Sequence, residues 1–239
     1  MADVGKVIVI GGQKGGPGKS TLGQNLAVYF NQIHNKEVYL LDADPQQTTM
    51  DWLNERKANS SVNNDIIGSK ADGDIEDLVK SLANKYDIVV VDTGGMDGYE
   101  LRGGIAAADI CIFPLRPKRR DLKTLKHVSV ALASPRKFNK KCKYFSVLTQ
   151  CPSQANQQYR VENAKAICSD FGLTPFLAVT EVRNIYDDCD EGGKSILETS
   201  DSKAIAEIMA IGNELIIKGE FNGYEEFQAE LQRSEAETC

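Results

Sequence analysis

Seven short apolar runs recur along the chain, each set off from the next by a polar stretch or one with the spacing of an amphipathic helix. They span Val7 to Gly11, Val38 to Asp42, Ile66 to Gly68, Ile88 to Asp92, Ile110 to Pro114, Tyr144 to Thr149 and Pro175 to Val179. Their nearly continuous, β-branched character is that of strands covered on both faces, as in a parallel sheet. Helical spacing fits Ser20 to Asn31, Asp74 to Lys85, Glu100 to Ala108, Asp121 to Ala133, Gln154 to Phe171 and Ser202 to Lys218. The alternation predicts an α/β fold with a doubly wound, mostly parallel sheet and helices on both faces. It reads as one domain over residues 1–218, followed by an acidic tail or helix over 219–239.

Composition changes this picture little. Hydrophobic content of 41% and charged content of 26% are ordinary for a soluble chain. No apolar stretch approaches the roughly 18 residues that span a bilayer, and the N-terminus enters a strand without room for a signal peptide. Six cysteines show no C-x-x-C pair, which suggests reduced thiols and a cytoplasmic protein.

Charge adds more. The net charge of −6 argues against nucleic acid as a partner, but its distribution is uneven. Between Arg116 and Lys143 stand eleven Lys/Arg against one acid, Asp121, a net of +10 on a body that carries −16. A basic stripe on an acidic body is the footprint of phosphate-backbone contact. The DNA candidates are Arg116, Lys118, Arg119, Arg120, Lys123, Lys140 and Lys141.

The candidate chemistry starts directly after the first run, in Gly-Gly-Gln-Lys-Gly-Gly-Pro-Gly-Lys-Ser-Thr over residues 11–21. A phosphate-binding loop reads G-x-x-x-x-G-K-[ST]: backbone N–H groups wrap the phosphates, the lysine reaches the β- and γ-phosphates, and the hydroxyl takes Mg²⁺. Lys19 and Ser20 fill the last two places. Gln13 holds the place of the first glycine, and Lys14 follows it, giving K-G-G-P-G-K-S. A helix starting near Gly18 aims its N-terminal amides at the phosphates.

That run is the deviant Walker A form, and the chain resembles the ParA/MinD family of dimerising ATPases over roughly residues 5–218. The resemblance implies that Gly15, Gly16, Pro17, Gly18, Lys19, Ser20 and Thr21 hold ATP. Lys14 would cross an ATP-bound homodimer to touch the partner's nucleotide. Asp42-Ala-Asp44-Pro-Gln46 resembles the A′ motif D-x-D-P-Q, in which Asp44 positions the attacking water and Asp42 supports the Mg²⁺ shell. Asp92 at the end of Ile88-Val-Val-Val-Asp-Thr-Gly-Gly95 looks like the Walker B acid, which holds Mg²⁺ through water; Gly94 and Gly95 would respond to the γ-phosphate. Thr149 or Gln150 stands where relatives read adenine.

Further on, Phe113-Pro-Leu-Arg-Pro117 with Asp121 echoes V-P-x-x-P-S-x-x-D. Val182-Arg-Asn-Ile-Tyr186 and Gly192-Gly-Lys-Ser-Ile-Leu-Glu198 resemble a late partition-ATPase pattern, which favours the ParA side. A MinD-like membrane ATPase ends in a basic amphipathic helix, whereas residues 219–239 are acidic. A literal N-K-x-D match at Asn84 to Asp87 leads into the amino end of a strand, the wrong end for reading guanine. The resemblance therefore implies a Mg²⁺-dependent ATP hydrolase, nucleoid-associated in the cytoplasm, that pairs on ATP and binds DNA non-specifically. It would drive plasmid, chromosome or cargo partition, with a ParB-like adaptor stimulating hydrolysis and no membrane partner.

Overall fold

The structure, a computed structural model, describes residues 4–12, 16, 18–63, 65–95, 98–221 and 224. Among these residues there are seven strands, β1 Lys6–Ile10, β2 Val38–Ala43, β3 Ile67–Lys70, β4 Ile88–Thr93, β5 Ile110–Leu115, β6 Lys143–Cys151 and β7 Thr174–Glu181. They form one sheet in the order β3-β2-β4-β1-β5-β6-β7, with every pairing parallel. Each strand falls on one of the seven apolar runs.

Successive strand residues face opposite ways, so the inner strands β1, β2, β4, β5 and β6 each supply two cores. Ile8, Ile10, Leu40, Val90 and Ile112 pack under helices α1 Lys19–Val28, α2 Thr48–Ala58 and α10 Ser202–Gly219. Val7, Val9, Leu41, Val91 and Phe113 pack under α3 Glu76–Ala83, α4 Tyr99–Ala107, α6 Leu125–Leu132 and α8 Gln158–Asp170. Burying each such side chain stabilises the fold by about 1.5–3 kcal/mol. Three further turns of helix are short: α5 Arg119–Leu122, α7 Pro135–Phe138 and α9 Ile185–Asp188.

Two expectations about helices differ from what is seen. The single helix over Asp121 to Ala133 is two, α5 and α6, divided at Lys123 and Thr124. Helix α2 lies where none is expected: its buried positions are Thr49, Trp52, Leu53 and Arg56, a helical spacing with polar residues at both ends. At the other end of the chain the core continues past Lys218. Phe221 and Tyr224 are buried, with Phe221 stacked on Phe30 at 5.3 Å between centroids. Residues 225–239 lie outside the described residues. Among the described residues no helix is long and apolar enough to cross a membrane.

Candidate nucleotide site

The connection from β4 to β5 passes over β1, so a crevice opens beyond the carboxyl end of β1, between its two neighbours. Ile10 is level with Asp92 of β4 and with Ile112 of β5. The Thr93 hydroxyl donates to the Ile10 carbonyl at 2.8 Å and holds the two strand ends together. The glycine-rich segment leaves β1 at this point. Lys14, Gly15 and Pro17 of the expected site, with Gln13, lie outside the described residues.

Gly16 and Gly18 have φ of 83° and 78°, the left-handed region that glycine enters without strain. Helix α1 follows, with no side-chain cap and no acid in its first turn. Its first amides and the positive end of its dipole are thus available to an anion. Lys19 is buried at 7% exposure, and its Nζ lies 3.9 Å from Asp44 Oδ2. Ser20 and Thr21, on the first turn of α1, are half-buried.

Three carboxylates converge here, in different settings. Asp92 is fully buried, which pushes its carboxyl up to about 6 against the opposing pull of the Ser20 and Thr49 hydroxyls. Its Oδ2 accepts from Thr49 Oγ1 at 2.8 Å, while Oδ1 is buried with no hydrogen-bond partner among the described residues. A bare carboxylate oxygen beside a serine hydroxyl fits a Mg²⁺ site in which the acid acts through water. Asp44 is also buried, and its Oδ1 accepts the Gln46 N–H at 3.0 Å, which leaves Oδ2 toward Lys19.

Asp42, expected in the Mg²⁺ shell, has a backbone amide on each carboxylate oxygen. Its Oδ1 accepts the Asp44 N–H at 3.0 Å and its Oδ2 the Met50 N–H at 2.8 Å. Burial raises its carboxyl pKa while these amides oppose the shift. Asp42 therefore fixes the Asp44 turn and the start of α2, and α2 in turn delivers Thr49 to Asp92. Thr49 was not among the expected site residues. The signal for it was a hydroxyl at the head of the segment after D-x-D-P-Q, legible only once α2 is known to be a helix.

On the far side of the loop, Thr149 is buried and Gln150 sits at the end of β6 with φ of 50°. Gln150 Nε2 donates to the Gly16 carbonyl at 2.9 Å. Both line a cavity with Gly18, Thr21, Thr180 and Tyr186. Arg183 and Tyr186 of the late motif meet on one acid: Arg183 Nε and Tyr186 Oη donate to Glu207 of α10 at 2.8 and 2.7 Å. Burial, reinforced by Glu207, pushes the Tyr186 phenol up, so it remains a donor.

The second half of that motif is locked into the interior. Arg56, with 0% exposure, forks onto Glu198 through Nη1 and Nη2 at 2.8 and 2.7 Å, and Nη1 also donates to the Gly193 carbonyl at 2.9 Å. Asn25 of α1 accepts from the Ser195 hydroxyl and the Ile196 N–H, both at 2.8 Å. Residues 193–198 thus tie the helix that follows the glycine loop to the helix that follows Asp44.

The basic segment does not form one patch. Lys118, Arg119, Arg120, Lys123 and Lys126 are exposed beyond the carboxyl end of β5, and all but Arg120 line a groove with Arg160 and Tyr159 of α8. Lys140 and Lys141 precede β6, whose Lys143 is level with Ile110 at the amino end of β5. The intervening strand length, at ~3.3 Å per residue, separates the two groups by roughly 20 Å. Three other cations are engaged: Arg116 by Asp121, Arg136 by the Gly172 carbonyl, and Lys143 by Glu220.

A family model for the CobQ/CobB/MinD/ParA nucleotide binding domain matches residues 8–199. Protein ParA of Rhizobium radiobacter is 27% identical over 117 residues, 48% of this chain and 50% of that protein, so the match spans about half the length of this curated relative. The ATP complex of a Cyanothece McdA variant superposes with a TM-score of 0.71 at 14% identity, covering 90% of this chain and 97% of that one. A plasmid partition protein from Borrelia burgdorferi B31 bound to AMPPNP superposes with a TM-score of 0.69 at 19% identity, covering 90% and 99%. These two likenesses establish the fold, and the family model, covering most of the crevice residues, establishes the kinship: the chain belongs to the CobQ/CobB/MinD/ParA nucleotide-binding family.

Proposed function

We propose that the protein is a Mg²⁺-dependent ATP hydrolase of the ParA type, whose ATP-bound homodimer holds DNA non-specifically and drives partition of a replicon or other cargo. The observation that carries this reading is the convergence of Lys19, Asp44 and the bare oxygen of Asp92 on the mouth of one glycine-rich loop. Phosphoryl transfer needs positioning and charge neutralisation more than covalent chemistry. Lys19 and the α1 amides hold phosphate oxygens, and Asp44 orients the attacking water. Mg²⁺ would be held by Ser20 and, through water, by Asp92, and would supply charge neutralisation at the phosphates. Lys14 reaches the partner's nucleotide, which makes turnover depend on pairing.

DNA contact falls to the groove cations Lys118, Arg119, Lys123, Lys126 and Arg160, with Arg120 beside them. A ParB-like adaptor on the cargo stimulates hydrolysis and release, and the protein works on the nucleoid. This charged groove, together with the late motif, supports the partition reading over a MinD-like membrane role. The test is ATP turnover of the purified chain with and without Mg²⁺ and DNA, alongside sedimentation with AMPPNP. Turnover that is abolished in Lys14→Ala, with an AMPPNP-induced dimer in the wild type, is expected. Normal turnover in Lys14→Ala, or a strictly monomeric profile, would sink the dimer-dependent cycle.

A further inference from the structure

The crevice beyond β1 has two walls, and only one is explained by the acids. On the β4 side stand Asp92 and, behind it, Asp44. On the β5 side the chain leaves Leu115 and places Arg116 against the glycine-rich loop: a methyl group built on Gly16 would lie 3.3 Å from Arg116 Nη1. The guanidinium is oriented from behind. Its Nε donates to Asp121 Oδ2 at 2.6 Å and its Nη2 to Asp121 Oδ1 at 3.1 Å, a two-pronged grip on a carboxylate that is itself buried at 9% exposure.

Asp121 is held in turn, since its carbonyl accepts the Thr124 hydroxyl at 2.6 Å and its Oδ2 also faces the Arg116 N–H at 3.4 Å. Nη1 has no hydrogen-bond partner among the described residues, and it is the nitrogen that faces Gly16. The Gly16 carbonyl is held in turn by Gln150 Nε2. An arginine that only served DNA would have no reason to be turned inward and fixed by a buried acid, as the outward-facing Lys118, Arg119 and Lys123 are not.

We propose that Arg116 is a phosphate-site cation, presenting Nη1 to the polyphosphate of the nucleotide held by the loop at Gly16, with Asp121 as the residue that positions it. The proposal rests on the nucleotide reading above. It removes Arg116 from the DNA surface and gives the site a guanidinium in addition to its lysines. A fixed guanidinium beside transferring phosphate acts chiefly on charge that develops during transfer, where such groups have their largest effect.

The full chain and its Arg116→Gln, Arg116→Lys and Lys203→Gln variants are compared for binding of fluorescently labelled AMPPNP, for ATP turnover and for retention on non-specific duplex DNA. Lys203 is an exposed cation on the first turn of α10, and its variant controls for loss of one charge. Arg116→Gln should lower AMPPNP affinity by about fivefold or more and turnover by about tenfold or more, while Lys203→Gln changes neither. Arg116→Lys keeps the charge but cannot make the two-pronged contact with Asp121, so turnover should still fall.

If Arg116→Gln does not fold, unchanged turnover in a folded Arg116→Lys overturns the proposal. So does Arg116→Gln with wild-type affinity and turnover, and so does a variant that loses DNA retention while binding AMPPNP normally. A wild type that neither binds AMPPNP nor turns over ATP overturns the nucleotide reading and this proposal with it. An active wild type beside an Arg116→Gln protein of unchanged affinity and turnover overturns this proposal alone.

Discussion

Lys19 and Asp44 face each other across 3.9 Å, both almost wholly buried, so the lysine of the glycine-rich loop is partnered by the acid at the end of β2. A phosphate entering the loop brings the negative charge that replaces this partner and leaves Asp44 free to orient water. Asp44→Asn should therefore keep nucleotide affinity within a few-fold while turnover drops by about 10²-fold or more, the usual range for losing a group that handles a proton in the transition state. Single-turnover kinetics beside AMPPNP titration would check it, and equal losses in both would place Asp44 in binding instead.

Gly94 sets the position of that acid from the neighbouring strand. A Cβ on Gly94 would lie 3.0 Å from Pro45 Cδ and 3.6 Å from Asp44 Oδ1. Gly94→Ala should push the Asp44 turn outward, lowering turnover by roughly tenfold to a hundredfold with a much smaller effect on nucleotide affinity, because sub-ångström placement governs the reactive water. Wild-type turnover in a folded Gly94→Ala protein would contradict this.

Arg56→Met should destabilise the protein by about 3–5 kcal/mol, since it strands Glu198 in the interior. Burial alone would raise the Glu198 carboxyl, but the Arg56 guanidinium and the Ser195 N–H hold it below its ordinary value of 4.5. A depressed carboxylate contributes stability above its unfolded pKa and loses it as pH falls through the folded one. Urea melts of the wild type should thus lose stability on acidification below about pH 4.5, and the loss should be shallower in Arg56→Met. Gly193→Ala should be at least comparably damaging, by about 3 kcal/mol, because φ is 65° and its Cβ would strike the Arg56 backbone.

If the groove beside α5 carries DNA, each of Arg119→Gln, Lys123→Gln and Arg160→Gln should weaken binding about equally for all sequences. Each should also reduce the slope of log K against log salt by ~0.9. Lys140→Gln with Lys141→Gln, at the opposite end of β5 and β6, should leave the slope unchanged. Filter binding between low and moderate salt separates the two groups.

The inner strands β1, β2, β4, β5 and β6 were legible because most of their residues are buried and read as nearly continuous apolar runs, whereas the edge strands β3 and β7 are largely exposed or half-buried and were legible from shorter apolar runs. Helix α2 was not, because the side chains it buries include Thr49 and Arg56, which carry no apolar signal. Its polarity has a functional source, since Thr49 serves Asp92 and Arg56 serves Glu198. The acids of the crevice were legible from their places at strand ends, whereas the backbone amides that occupy Asp42 depend on a turn that only coordinates reveal. The charge run from Arg116 to Lys143 was legible as charge but not as a surface. A segment that leaves one end of the sheet and returns at the other cannot present its ends together, and Arg116 turns inward to a buried acid.

The Arg56–Glu198 contact also bears on how the chain is made. The two residues are 142 positions apart, so at about 5–20 residues per second the arginine leaves the ribosome roughly 7–30 s before its carboxylate does. During that interval α2 carries a cation with no counterpart for its interior position, and the Asp44 turn that α2 anchors has no settled support. Emergence of Glu198 is thus the event in synthesis after which the crevice can close. A nascent chain stalled short of it should remain with a chaperone and remain open to protease, whereas one stalled well beyond it should not.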